Sequence, residues 1–230
     1  MLTTLIAALF TGLLVVGVPA LSYSTARNPQ VREMPRLALY TSAIFSQWLL
    51  TLLGWGVAFF VARPVLAQSF ARLPVTEVFG WAVAIAFASL AGLVLVIAGE
   101  RRGWLPQESE LVYLLIPETA RERVWAVLIV APTAAFCEEF LFRGFLFAQL
   151  QQWLHSVPWA WIVCSAAFGL AHCYQGWSGM TRAAMLGALL TFPVARLGSL
   201  YPSMLAHWMI DAVALVWLGP WMVRKSLIAE

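Results

Sequence analysis

An all-α, polytopic transmembrane bundle is the fold class that this chain predicts, on three observations. Hydrophobic residues make up 62% of it and charged residues only 11%, where soluble domains run near 45–50% and about 25%. Its mean hydropathy is +0.82. Its apolar residues also gather into runs of about 20, the length a helix needs to cross the hydrocarbon core, so we expect about seven spans, with roughly six to eight as the range.

The runs lie near residues 2–22, 38–62, 78–99, 124–147, 157–174, 183–196 and 201–219. The first, MLTTLIAALFTGLLVVGVPALSYS, carries VPA in the manner of a secretory cleavage site. No basic residue precedes its apolar core and further spans follow, so it reads as a retained first helix. WLPQESELVYLLIPE, after the third run, reads as an interfacial segment with a mixed face, or as a re-entrant piece. Thr119-Ala-Arg-Glu122 is a capping box, in which the Thr hydroxyl and the Glu carboxylate satisfy each other's end amides; it starts the fourth helix near residue 120. Pro132 removes one internal hydrogen bond and should kink that helix about a turn and a half before Glu138. QGWSGMTR, between the fifth and sixth runs, reads as a Gly-rich turn. No domain boundary or repeat shows, so residues 1–230 read as one membrane domain.

The net charge of +3 and the pI near 9.0 suit anionic lipid headgroups. They do not suggest a nucleic-acid partner, because the arginines are dispersed through short loops and form no stripe. Loops after runs one, three and five, with the C-terminus, hold Arg27, Arg32, Arg36, Arg101, Arg102, Arg121, Arg123, Arg182, Arg224 and Lys225, against Arg63, Arg72 and Arg196 on the other side. That bias predicts a multi-pass protein of a plasma or other inner-type membrane, with its C-terminus cytoplasmic and its N-terminus outside. Cys137, Cys164 and Cys173 lie in apolar segments without metal-type spacing, so they read as buried thiols and not as a disulfide framework.

Three polar clusters interrupt the apolar runs. An ionised group at the centre of a span costs about 2.5–3.5 kcal/mol on insertion scales, so such groups face the bundle interior and find partners. In CEEFLFRGF, Glu139 and Arg143 are spaced i, i+4 in the favourable order for a pair. Glu138 lies about 100° round the helix, with no local partner, free to face a cavity as a general base. Phe168-Gly-Leu-Ala-His172 is the second cluster. His207-Trp-Met-Ile-Asp211 is the third, with imidazole and carboxylate on one helical face. His155, in QQWLHS, reads as solvated. Each cluster alone could be a helix–helix fastener. A free Glu, two His and an acid on three separate spans form the set that water activation requires.

EEFLFR, FGLAH and HWMID in that order resemble the CPBP (ABI) family of intramembrane proteases, which includes the type II CAAX prenyl endopeptidases. The family pattern is EExxxR, FxxxH and HxxxN or HxxxD, and Glu138, Glu139, Arg143, Phe168, His172, His207 and Asp211 fill it. The resemblance covers residues 118–218, which it makes the catalytic core, with 1–115 as accessory N-terminal spans. It implies a bundle with a conical or water-filled cavity in which a peptide bond is hydrolysed. Glu138 with His172 would activate water, and His207 with residue 211 would stabilise the oxyanion. Glu139 and Arg143 would hold the helix in register, with Glu139 as a candidate to share the base role. Many relatives carry Asn at the last position. Asp211, when ionised, only accepts hydrogen bonds, and so reads better as the group that orients His207. The implied partners are a peptide or protein substrate, with a lipidated one as an option, and membrane lipids. No cofactor is required in this reading. Zinc on Glu138, His172 and His207 is the disfavoured alternative, since HExxH is absent and no helix offers paired ligands besides His207 and Asp211. A non-catalytic membrane scaffold of the bacteriocin-immunity kind is the alternative function.

One tension stands in this reading. Glu138 lies about 18 residues, roughly 27 Å, past the start of its helix, whereas His172 sits near the cytoplasmic end of its own span. They meet only if Pro132 bends the fourth helix, if that helix begins outside the bilayer core, or if the fifth span runs past residue 174.

Overall fold

The computed structural model describes residues 2–61, 69–106 and 109–220. Arg63, Arg224 and Lys225, which entered the charge count, and Gln107 and Glu108 of the interfacial segment lie outside them. The described residues form helices and no strand, apart from one isolated bridge between Phe70 and Ser199. The main helices are α1 (Leu2–Arg27), α2 (Arg36–Val61), α3 (Val75–Arg101), α4 (Ala120–Leu154), α5 (Val157–Ala171), α6 (Gly176–Leu197) and α7 (Tyr201–Val213), which a wider turn extends over Ala214–Leu218.

Contacts between loops sort the helix ends into two faces. On one face Ser109 N donates to Gln175 O at 3.1 Å, Cys173 approaches Pro19 and Ser22 of α1, and Gly219 at the end of α7 abuts Ile116. On the other, Ala71 N donates to Gly198 O and Leu200 N to Ser69 O. Within the bundle α4 is central. Half of its most apolar window is buried, against 17–28% for α1, α2 and α3, because α1, α2, α5 and α7 all pack on it. Phe140, Leu141, Phe142, Phe145 and Leu146, packed with Phe10, Leu14 and Phe168, form the main core. A second core joins α3, α6 and α7 through Ala82, Ile85, Leu190, Ala206 and Ile210.

Four helices are long and apolar enough to cross a membrane, or up to five if the broken pair α5–α6 counts as one. This is fewer than the expected seven, and for α5 length is the reason. The 15 residues of α5 extend about 22 Å, short of a core of about 30 Å, and α6 returns along α5. Trp161 Nε1 donates to Ala188 O at 3.0 Å, and Gly169 lies so near Met180 and Ala184 that a Cβ there would come within 2.8 Å of both. The turn is shorter than QGWSGMTR suggested. It occupies Cys173–Gln175 and ends at Gly176, whose φ of 79° only glycine adopts cheaply, and the rest of that stretch is helical. At the far end of α4, His155 takes the left-handed C-cap with φ 49°.

The capping box forms at the start of α4, with Thr119 Oγ1 accepting from Glu122 N and Glu122 Oε2 accepting from Thr119 N at 2.9 Å. The same glutamate meets Arg36, which also donates to Glu118 Oε1 and Leu114 O at 2.9 Å each, while Tyr40 donates to Leu115 O. These contacts tie α2 to the foot of α4. Pro132 does not end the helix. Over Ala126–Val130 the backbone widens to i→i+5 bonding, with Ala131 N donating to Ala126 O. In that register Val127 O would pair with residue 132, a proline with no N–H. Trp208 Nε1 of α7 donates to this carbonyl at 2.9 Å.

Candidate active site

The 35 residues of α4 reach about 52 Å at 1.5 Å each, well beyond a core of about 30 Å. A helix of this length need not start within the core, so Glu138 need not lie as deep as a count from residue 120 suggests. α5 stops at Ala171, so the depth mismatch is not met by a longer fifth span. Glu138 Oε2 comes within 3.8 Å of His172 Nε2 and 3.9 Å of His207 Nε2.

Both imidazoles are oriented from behind. His172 Nδ1 lies 2.8 Å from Phe168 O, one helical turn back, and His207 Nδ1 lies 2.8 Å from Glu139 Oε1. A carbonyl and a carboxylate only accept, so each Nδ1 carries the proton and each Nε2 faces Glu138. Glu139, and not Asp211, therefore fixes the His207 tautomer. Asp211 Oδ2 stands 3.6 Å from Nε2 on the opposite side, too far for a direct hydrogen bond. The i, i+4 spacing made Asp211 the nearer candidate in sequence; packing α7 against α4 places Glu139 closer.

Glu139 Oε1 also accepts from Arg143 Nη1 at 3.0 Å, and both side chains of that pair are fully buried. Arg143 Nε reaches Thr191 Oγ1, and its guanidinium lies 4.1 Å over the Phe168 ring. The same ring stands edge-on to His207 and beside His172, so Phe168 supports the arginine and both histidines. This closeness requires a bare backbone on α6, where a Cβ on Gly187 would lie 3.2 Å from Phe168 and 3.3 Å from Arg143 Nη2. From Glu139 to Leu146 α4 again widens to i→i+5 bonding, a distortion found often at functional sites.

Exposure divides the cluster. Glu139 and Arg143 are sealed, while the side chains of Glu138, His172 and Asp211 keep 16%, 17% and 28% of their surface open. Within that partly open group the Glu138 Oε2 atom is itself buried and has no hydrogen-bond partner. A cavity of about 180 Å³ lies elsewhere. It is lined by Ser69, Arg143, Phe147, Gln151, Val194 and Gly198 among others, and by none of Glu138, His172, His207 or Asp211.

One contact comes from outside the three motifs. Gln47 Nε2 on α2 donates to Glu138 Oε1 at 2.7 Å. In the sequence it is one amide among the hydroxyls of the early spans, and nothing local marks it. Among the described residues no group of three or more His, Cys, Asp or Glu side chains is disposed to hold a metal ion. Both Nδ1 atoms are committed to protein acceptors, which leaves Glu138 Oε2 and the two Nε2 atoms as the donors that zinc would need.

Residues 120–213 match the family model described as type II CAAX prenyl endopeptidase Rce1-like. No curated protein and no solved structure matches the chain.

Proposed function

From the match of residues 120–213 to the type II CAAX prenyl endopeptidase Rce1-like model, we propose that the chain is an intramembrane endopeptidase working through a water activated by Glu138 and His172. That match supports a peptide hydrolase, and the apolar helices support an integral membrane protein. The observation that carries the mechanism is the approach of Glu138 Oε2 to both Nε2 atoms at 3.8 and 3.9 Å. These separations are too long for direct hydrogen bonds and suit one shared water. That water donates to Glu138 Oε2 and to the lone pair of His172 Nε2, which leaves its own lone pair to attack. As the new C–O bond forms, a water proton passes to Glu138 Oε2 and the carbonyl electrons move onto oxygen. In the imidazolium form, with a second proton on Nε2 beside the Nδ1–H held by Glu139, His207 donates from Nε2 to that oxyanion; removing one such donor costs about 100- to 1,000-fold in rate. The C–N bond then breaks as Glu138 returns the proton to the leaving amine. Glu139 holds the His207 ring, and Arg143 balances the charge of Glu139. No metal enters these steps.

The substrate in this reading is a peptide or protein tail that reaches the site from the membrane, with a prenylated one as the family's type. Arg32 and Arg36 pair with Glu110 and with Glu118 and Glu122, which supports one cytoplasmic face for the loops around residues 28–35 and 102–119. The end of α7 at Gly219 lies on that same face beside Ile116, which favours a cytoplasmic C-terminus. The test uses the purified chain in proteoliposomes with an internally quenched farnesylated CAAX peptide and its unprenylated counterpart. Cleavage is expected for wild type and a loss of at least about 100-fold in Glu138→Ala and in His172→Ala. Equal cleavage by all three proteins overturns the assignment.

A further inference from the structure

Gln47 lies on α2, outside the family-matched segment, yet its amide is in direct contact with the glutamate on which the site centres. We propose that Gln47 is a positioning residue for the reaction: its N–H holds Glu138 Oε1 so that Oε2 alone is presented to water, His172 and His207. The inference rests on the proteolytic reading above. A carboxylate has two equivalent oxygens and a free χ3 rotation, and a base that must face two imidazoles at once loses efficiency if either oxygen can turn toward them. With Oε1 committed at 2.7 Å, the oxygen left without a hydrogen bond is Oε2, the atom nearest both Nε2 groups. The donor must be the amide nitrogen, because an ionised carboxylate offers nothing to the amide oxygen.

The position of Gln47 is itself enforced. One residue on, Trp48 stacks on Phe136 at 5.5 Å, and two turns on, Trp55 stacks on Phe140 at 5.3 Å. Gly54 lets α2 approach until a Cβ there would lie 2.9 Å from Leu141. The Arg36 and Tyr40 contacts fix the foot of the same helix. An accessory span thus supplies a polar contact that the three motif helices lack.

Two measurements on the full chain in proteoliposomes test this. For Gln47→Leu, kcat on the quenched farnesylated peptide is expected to fall about 10- to 100-fold, with KM within about twofold. The infrared carboxylate stretch of Glu138, isolated as the difference between wild type and Glu138→Gln, is expected to shift in the Gln47→Leu background. Gln47→Glu keeps the shape but replaces the donor with an acceptor, and is expected to lose at least as much kcat. A shifted band with unchanged kcat, or a lower kcat with an unshifted band, overturns the positioning role. Wild type that leaves the peptide intact counts against the proteolytic reading instead, whereas active wild type with unaffected Gln47 variants counts against this inference alone.

Discussion

Replacing Arg143 by leucine removes the guanidinium from a fully buried carboxylate and is the sharpest perturbation the site offers. At 3.0 Å from Glu139 Oε1, unit charges at an effective dielectric of about 20 attract by roughly 5–6 kcal/mol. The cation–π contact with Phe168 at 4.1 Å adds about 1 kcal/mol. Part of this returns as the relieved desolvation of the guanidinium, so the net loss should match the roughly 3–5 kcal/mol found when one partner of a buried pair is removed. For a chain of this length that is about 10 °C in apparent Tm. The protein carries its own reporter, since Cys137 and Cys164 are free and buried: a thiol-reactive fluorogenic dye reads their release on heating. The companion Glu139→Gln/Arg143→Leu removes the stranded carboxylate and should recover at least about half of the lost stability. A Tm for Arg143→Leu within about 2 °C of wild type would refute the claim that the pair acts as a buried ionic unit.

Trp208→Phe strips the indole from the carbonyl that Pro132 leaves unpaired, so a loss of about 1–3 kcal/mol is expected, read as a drop of several degrees in the same dye assay. Gly169→Ala sets a Cβ 2.8 Å from Met180 O and Ala184 Cβ. The α5–α6 pair must part, which costs about 1–3 kcal/mol, and kcat should fall with it because His172 sits three residues on. Activity should survive exhaustive treatment with a chelator; loss restored by zinc alone would mean that a metal holds the water.

What the sequence discloses about this site depends on cost. Glu138, His172 and His207 stand out because polar side chains in apolar helices are expensive, and their order along the chain already suggests convergence. Gln47 carries no charge, so its presence in α2 raises no alarm until Glu138 is found beside it. The partner of His207 was ambiguous for a related reason. Spacing favours Asp211 on the same helix, and only the axial offset between α4 and α7 decides for Glu139. Apolar runs locate the seven helices well, because period and length are local properties. They do not reveal that α5 is too short to cross alone, nor that the turn after His172 needs Gly176 by itself and not the whole glycine-bearing stretch. The widened turns of α4 were hidden too, since Pro132 predicts a kink from its missing N–H and only tertiary packing supplies the indole that lets the helix run on.

That indole has a consequence for how such chains change over time. A proline in a buried helix and a hydrogen-bond donor on the neighbouring helix form a joint trait: the proline without the donor is a defect, and the pair is not. Substituting an amide-bearing residue at 132 would make the tryptophan at 208 dispensable, while losing the tryptophan first would strand a backbone oxygen in oil. Drift at these two places should therefore proceed in one order only, proline lost before indole, and aligned relatives should show few chains that keep the former without some donor in place of the latter.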